Sequence, residues 1–316
     1  KKVKFELVSE DDQADPKIAT QIAQRMVDGK IAAMIGHLNS GTTIPSSKIY
    51  ADAGIPQVSP SATNPAYTQQ GFKTAFRVIP NDIQQGKASG DFAVDVLKAK
   101  KIAIIDDRTA YGQGLADEFE KAAKAKGATI VKREFTTNNA TDFMAILTAI
   151  KGAKPDVIFY GGMDAQAGPM AKQMKKLGLT AKLLGGDGFQ TPEFIKLAGE
   201  AAEGQYASNP GAPKEKLPGF ASFNQKFTAK YGEVQLYAPY CYDATKLVVA
   251  AMKKAESAEP AKYLPELTKI EYEGVVGKIK FDDKGDVLNG VITVYQVKDG
   301  KWEVLQTVDG TAAAGK

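Results

Sequence analysis

The chain has one cysteine, Cys241, and one histidine, His37, in 316 residues. An intrachain disulfide, a Cys/His zinc cluster and any catalytic design needing two histidines are therefore excluded. Enzymatic chemistry would have to rest on carboxylates, Lys, Tyr or Ser. No window approaches the about 18 uninterrupted apolar residues of a transmembrane helix. The start, Lys1-Lys2-Val3-Lys4-Phe5, runs into Glu6 and Asp11-Asp12 without an apolar stretch, and is not expected to act as a signal peptide. Long Lys/Arg runs are missing and net charge is only +4, so nucleic acid is not an expected partner. The 30 glycines and 15 prolines follow no period, which excludes collagen-like and low-complexity chains. What remains is ordinary for a globular protein, 43% hydrophobic and 25% charged. At about 150 residues per domain, two domains are expected.

Val3, Phe5 and Leu7 alternate with Lys4, Glu6 and Val8, a pattern that predicts a strand. Asp15-Pro16 supplies an N-cap and an N1 proline for a helix carrying Ile18, Ile22 and Met26, closed by Gly29. A short apolar run over 31–35 predicts a strand covered on both faces, followed by a helix over 43–53 and a strand over 56–59. The rhythm continues with helices over 82–97, 111–126, 142–151 and 165–177, and strands over 101–105, 129–135, 156–160 and 182–184. Strands alternating with long helices predict βαβ units, an α/β fold with a mostly parallel sheet. The last third differs: helices over 218–230 and 237–255, then antiparallel segments over 274–281, 291–296 and 302–308, the last after an Asp299-Gly300 turn. The irregular segments 77–81 and 211–213 are the expected connections between two lobes.

In open α/β sheets ligands sit beyond the carboxyl ends of strands. The loops after the first strands, His37 to Thr42 and Ser59 to Pro65, are rich in hydroxyls and small residues beside helix starts. Their N–H and hydroxyl groups suit a carboxylate or phosphate, although Ser40 and Thr42 serve a capping role equally well. Having two such loops in one sheet favours the ligand reading. Asp187, flanked by Gly186 and Gly188, fits either a ligand cation or an Asp-Gly turn. Tyr111 fits a pocket wall or a core position; Tyr237, Tyr240 and Tyr242 fit a pocket face or helix packing. His37 reads as a hydrogen-bonded structural residue. Gly112-Gln113-Gly114 lacks the third glycine of a dinucleotide fingerprint, no phosphate-binding G-x-x-x-x-G-K-[ST] occurs, and the acidic cluster Asp11 to Asp15 lacks a calcium-loop glycine. No metal or cofactor is expected.

Several longer stretches carry a resemblance. His37 to Pro45, Ile49-Tyr50 with Gly54-Ile55, Ser59 to Pro65 and Tyr111-Gly112-Gln113-Gly114 together resemble the periplasmic leucine/isoleucine/valine-binding proteins of ABC importers. Tyr160-Gly161-Gly162, Ala201-Ala202-Glu203-Gly204, and Gly274 to Gly277 before Phe281-Asp282 agree. The resemblance implies a type I periplasmic-binding-protein fold: two Rossmann-like lobes that close on an amino acid and are joined by a three-stranded hinge. Lobe 1 would take 1–81 and 210–289, lobe 2 82–209 and 290–316. It further implies that Ser40 and Thr63 hold the ligand carboxylate, and that the Ser61 carbonyl, the Thr63 hydroxyl and Asp187 take the ammonium. Ala62 would be a further contact, and Leu38, Tyr111 and Tyr237 would line the side-chain slot.

The chain departs from the family in three places. Met163 stands where relatives have a tyrosine reaching the carboxylate. Ala14 and Asn39 stand at the family's first-lobe disulfide. The start corresponds to the family's second strand, so roughly forty residues, a strand and a helix, have no counterpart. The expectation is an incomplete chain whose small-residue tail 311–316 is a linker remnant; a continuous central strand in the first sheet would refute it.

The implied function is capture of a branched-chain L-amino acid in the periplasm by the mature protein, a monomer without catalytic activity that delivers to a membrane permease. The alternative is a signalling receptor of the same fold that senses amino acids or amides. A Rossmann-like enzyme ranks third for want of a cofactor fingerprint or a nucleophile–base pair.

Overall fold

The computed structural model describes residues 3–309. The elements run α1 (Pro16–Asp28), β1 (Met34–Ile35), α2 (Ser40–Asp52), β2 (Gln57–Ser59), α3 (Ala66–Gln69), β3 (Ala75–Arg77), α4 (Asp82–Asp91), β4 (Lys101–Asp106), α5 (Ala110–Ala125) and β5 (Thr129–Phe135). They continue with α6 (Met144–Ala153), β6 (Val157–Gly161), α7 (Asp164–Lys176), β7 (Lys182–Gly185), α8 (Pro192–Ala198), β8 (Tyr206–Pro210) and α9 (Phe220–Tyr231). Last come α10 (Ala238–Lys254), α11 (Pro260–Thr268), β9 (Glu271–Gly274), β10 (Gly277–Lys280), β11 (Val291–Lys298) and β12 (Lys301–Asp309).

The strands form a three-stranded parallel sheet β1-β2-β3, a β9–β10 hairpin, and a seven-stranded sheet ordered β12-β11-β8-β7-β6-β4-β5. In the large sheet β4 to β8 pair in parallel, while β11 runs antiparallel to both β8 and β12. Its central strands are apolar on both faces, because helices cover both. Ile102, Ile104, Phe159 and Leu184 pack with Phe92, Leu115 and Phe119, whose ring stacks on Phe159 at 3.9 Å. Ile105, Ile158 and Leu183 face Phe143, Met170, Phe189 and Phe194. The small sheet packs Val58 and Phe76 against Tyr240, Leu247 and Val248 of α10, whose sequence lies far away. The chain passes between the two sheets three times, near 78–81, 211–213 and 288–290.

Most predicted elements are present within two or three residues. Asp15 caps α1 through bonds from Lys17 and Ile18 N–H, and Pro16 occupies N1. Four expectations change. Residues 3–8 form no strand: Val3, Phe5, Leu7 and Val8 are exposed, Leu7 to 93%. Alternation needs a neighbouring strand and a covered face, and no strand precedes β1, an edge strand, among the described residues. The 31–35 strand contracts to Met34–Ile35. The 274–281 strand folds into a hairpin around Val275 and Val276, whose N–H groups both donate to Asp243 at 2.9 and 2.8 Å. α2 begins at Ser40 rather than 43, which aims its first amides at the strand end. The tail 311–316 lies outside the described residues.

Candidate functional site

One wall is made of donors. α2 starts directly beyond β1, and Asn39 makes no side-chain cap. The Ser40 and Gly41 N–H groups have no protein acceptor among the described residues, nor does that of Thr63 in the loop after β2. Backbone amides at a helix start are an anion-binding arrangement. The two loops are stitched together: Ser59 Oγ donates to the His37 carbonyl (3.0 Å), Ser61 Oγ donates to the Leu38 carbonyl (2.8 Å), and Ser40 Oγ accepts from Asn64 N–H (3.1 Å). Thr63 Oγ1 is buried without a partner. Beneath the loop lies Arg77, fully buried. It pairs with Asp286 at 2.6 Å, donates to the Ala62 and Asn64 carbonyls at 2.8 and 3.0 Å, and donates to Thr68 Oγ1 at 2.8 Å. A planar guanidinium can hold several fixed acceptors at once, which a lysine cannot.

The opposite wall is made of acceptors. Asp187, 2% exposed, follows β7 in a short 3₁₀ turn. Tyr111 Oη donates to Oδ1 at 2.9 Å, Gln85 Nε2 donates to the same oxygen at 3.1 Å, and Tyr237 Oη donates to Oδ2. Burial pushes the Asp187 carboxyl up, and the bonds from Tyr237, Gln85 and Tyr111 pull it back. Burial, then the Asp187 charge, pushes both tyrosines well above their ordinary range, so they remain donors. The flanking glycines are required by close packing: a Cβ on Gly186 would come within 2.4 Å of Leu115, and one on Gly188 within 2.4 Å of the Gly162 carbonyl. Asp187 is thus both part of a turn and a carboxylate held ready.

The walls meet. Asn64 Nδ2 donates to the Ala110 carbonyl at 2.6 Å, and Asp82 N–H donates to the Thr63 carbonyl at 2.8 Å. Tyr237, just before α10, reaches Asp187 across the gap. Ser40, Ser61, Ala62, Thr63, Tyr111, Asp187 and Tyr237 therefore converge. Met163 is half-buried beside Tyr111, its Sδ 3.0 Å from where a Gly188 Cβ would lie. Leu38 is held at the same place through its carbonyl, and its side chain is 56% exposed.

Sequence reasoning missed Arg77, Gln85 and Asp82. Arg77 ends β3, and Asp82 and Gln85 open α4 just beyond, in a segment read only as a connection between lobes; the Asn81 capping box that starts α4 was the available signal. Asp187 is accordingly not the sole carboxylate here, because Asp82, fully buried, is a second. Tyr240 packs in the core and Tyr242 against Phe223, so for these the packing reading holds. His37 is structural: Nδ1 pairs with Asp12 at 2.7 Å and Nε2 with Tyr50 Oη at 3.0 Å. That pair links the two segments carrying Ala14 and Asn39. A separate cleft of about 550 Å³, lined by residues including Gln190, Tyr240, Tyr295 and Trp302, contains none of the converging residues.

Two Rossmann-like α/β layers with a polar site between them define the class of a two-layer ligand receptor. Residues 1–301 match the periplasmic binding protein family, and the chain belongs to it. Its relatives include an amino acid binding protein of Pseudomonas aeruginosa, 38% identical over 96% of this chain and 82% of that protein. Another is Leu/Ile/Val-binding protein homolog 1 of Brucella suis, 37% identical over 94% and 81%. Among solved structures, a leucine binding protein from Thermotoga maritima superposes with a TM-score of 0.90 at 29% identity, over 96% of this chain and 87% of that one. The branched-chain amino acid transporter substrate binding protein of Streptococcus pneumoniae, in complex with isoleucine, gives 0.87 at 29%, with the same coverage. The type I periplasmic-binding-protein fold is thereby established. Among the described residues, no helix is long and apolar enough to cross a membrane.

Proposed function

We propose that this protein binds an aliphatic, branched-chain L-amino acid and presents it to the permease of an ABC importer outside the cytoplasmic membrane. The observation that carries the reading is the pairing, across one gap, of unpartnered N–H groups (Ser40, Gly41, Thr63) with the Asp187 carboxylate. A zwitterion needs both, and each charge-assisted bond contributes about 1.5–3 kcal/mol. In this reading Ser40 and Thr63 hold the carboxylate, Asp187 and the free Ser61 carbonyl take the ammonium, and Tyr111, Met163 and Tyr237 bound the side chain. The two sheets act as lobes with boundaries at 1–81 with 210–289 and at 82–209 with 290–316, and ligand between them favours the closed form a permease recognises. The names of the relatives support an amino-acid ligand. The reading assigns no catalytic role to any residue. Titration calorimetry against the twenty amino acids tests it: leucine, isoleucine or valine should bind with the highest affinity, and failure of every aliphatic amino acid to bind would refute it.

A further inference from the structure

Asp82 is the second carboxyl at the site. It is the first residue of α4, fully buried, and neither side-chain oxygen has a hydrogen-bond partner. Asp82 N–H donates to the Thr63 carbonyl at 2.8 Å, which brings the two residues together, yet the Thr63 hydroxyl is also unpartnered, as is Gln85 Oε1 one turn along. Buried polar atoms are almost always paired, so a cluster of unpartnered oxygens beside the site points to a role beyond packing.

The groups acting on Asp82 fix its charge. Asp187 in the loop after β7 and Glu118 on α5 repel an ionised form. Tyr111 on α5 and Tyr237 before α10 are neutral and spent on Asp187. Arg77 at the end of β3 attracts it, but is already paired with Asp286. A bound amino acid would bring a carboxylate to Thr63 and only one ammonium, which Asp187 claims. An ionised Asp82 would also compete for the single Thr63 hydroxyl proton.

We propose that Asp82 is a positioning residue that carries a proton when the site is closed and donates it to Thr63 Oγ1, leaving the Thr63 hydroxyl free to donate to the ligand carboxylate. Burial, followed by repulsion from Asp187, pushes the Asp82 carboxyl well above its ordinary range, in keeping with this relay. Opening the site to water would relieve part of that burial penalty, making the group a stronger acid in the open form than in the closed one. The closed form therefore binds more protons than the open one, so capture takes up a proton and affinity falls as pH rises.

The inference rests on the amino-acid reading above, and leucine is the probe. Calorimetry of the full chain in two buffers of different ionisation enthalpy, repeated across the acid range, should give net proton uptake on binding leucine, at most one proton per leucine. Affinity should fall as pH rises, by at most about tenfold per unit for one proton. The Asp82→Asn variant keeps a donor but cannot ionise; it should bind leucine with little uptake and a flat pH profile. Binding without proton uptake by the wild type, a measurement that needs no variant, overturns this inference alone, as does uptake that persists in Asp82→Asn. Absence of any aliphatic amino-acid binding overturns both readings.

Discussion

The two walls of the site are built by opposite means. The donor wall rests on the small sheet, whose strands are two or three residues long, and its binding groups are largely backbone amides. The acceptor wall rests on the seven-stranded sheet, and its binding groups are side chains, a carboxylate with three donors trained on it. Backbone donors can be aimed only by fixing the loop that bears them, so the donor wall needs a brace beneath it. Side-chain acceptors need correct partners around them, so the acceptor wall needs a saturated hydrogen-bond shell.

The sharpest way to break this contrast is to remove the brace. Arg77→Met should leave Asp286 without its cation and the Ala62 carbonyl without a donor, and cost about 3–5 kcal/mol, read by chemical denaturation. Because the loop loses its shape, leucine affinity should also collapse although Arg77 touches no ligand group; unchanged affinity would show that the brace is dispensable. On the acceptor wall, Asp187→Ala should weaken binding more than tenfold while disturbing folding less, because it removes a buried carboxyl whose burial is itself unfavourable. An affinity equal to wild type would place the amine elsewhere. The mildest change is Thr63→Val, which preserves shape and deletes one hydroxyl. A loss of about 0.5–1.5 kcal/mol in binding is expected for one such bond, with recovery in Thr63→Ser. Unchanged binding in Thr63→Val would mean that the amide, not the hydroxyl, does the holding.

The α/β alternation was legible because Ile102 to Ile105 and Val157 to Tyr160 are apolar at every position, as strands covered on both faces must be. Ser40, Thr63, Tyr111 and Asp187 were legible because they follow strand ends, where open sheets bind ligands. Leu38 was legible only as a position: its carbonyl is tied to Ser61 Oγ, while its side chain is left exposed. The 3–8 segment misled: its alternation was real, but a strand exists only if another strand accepts its hydrogen bonds.

The sequence by itself determined the fold class, the family and the loops that carry polar chemistry. These depend on local periodicity and on motifs contiguous in the chain. Only the tertiary structure decided which groups meet. Arg77 finds Asp286 209 residues away, and Gln85 finds Asp187 across 102. Tyr237 closes on the same carboxylate, and Asp82 is left buried without a partner. No local pattern encodes such pairs: they arise when two sheets with separate cores bring distant loops face to face, and burial gives each polar group there its energetic weight.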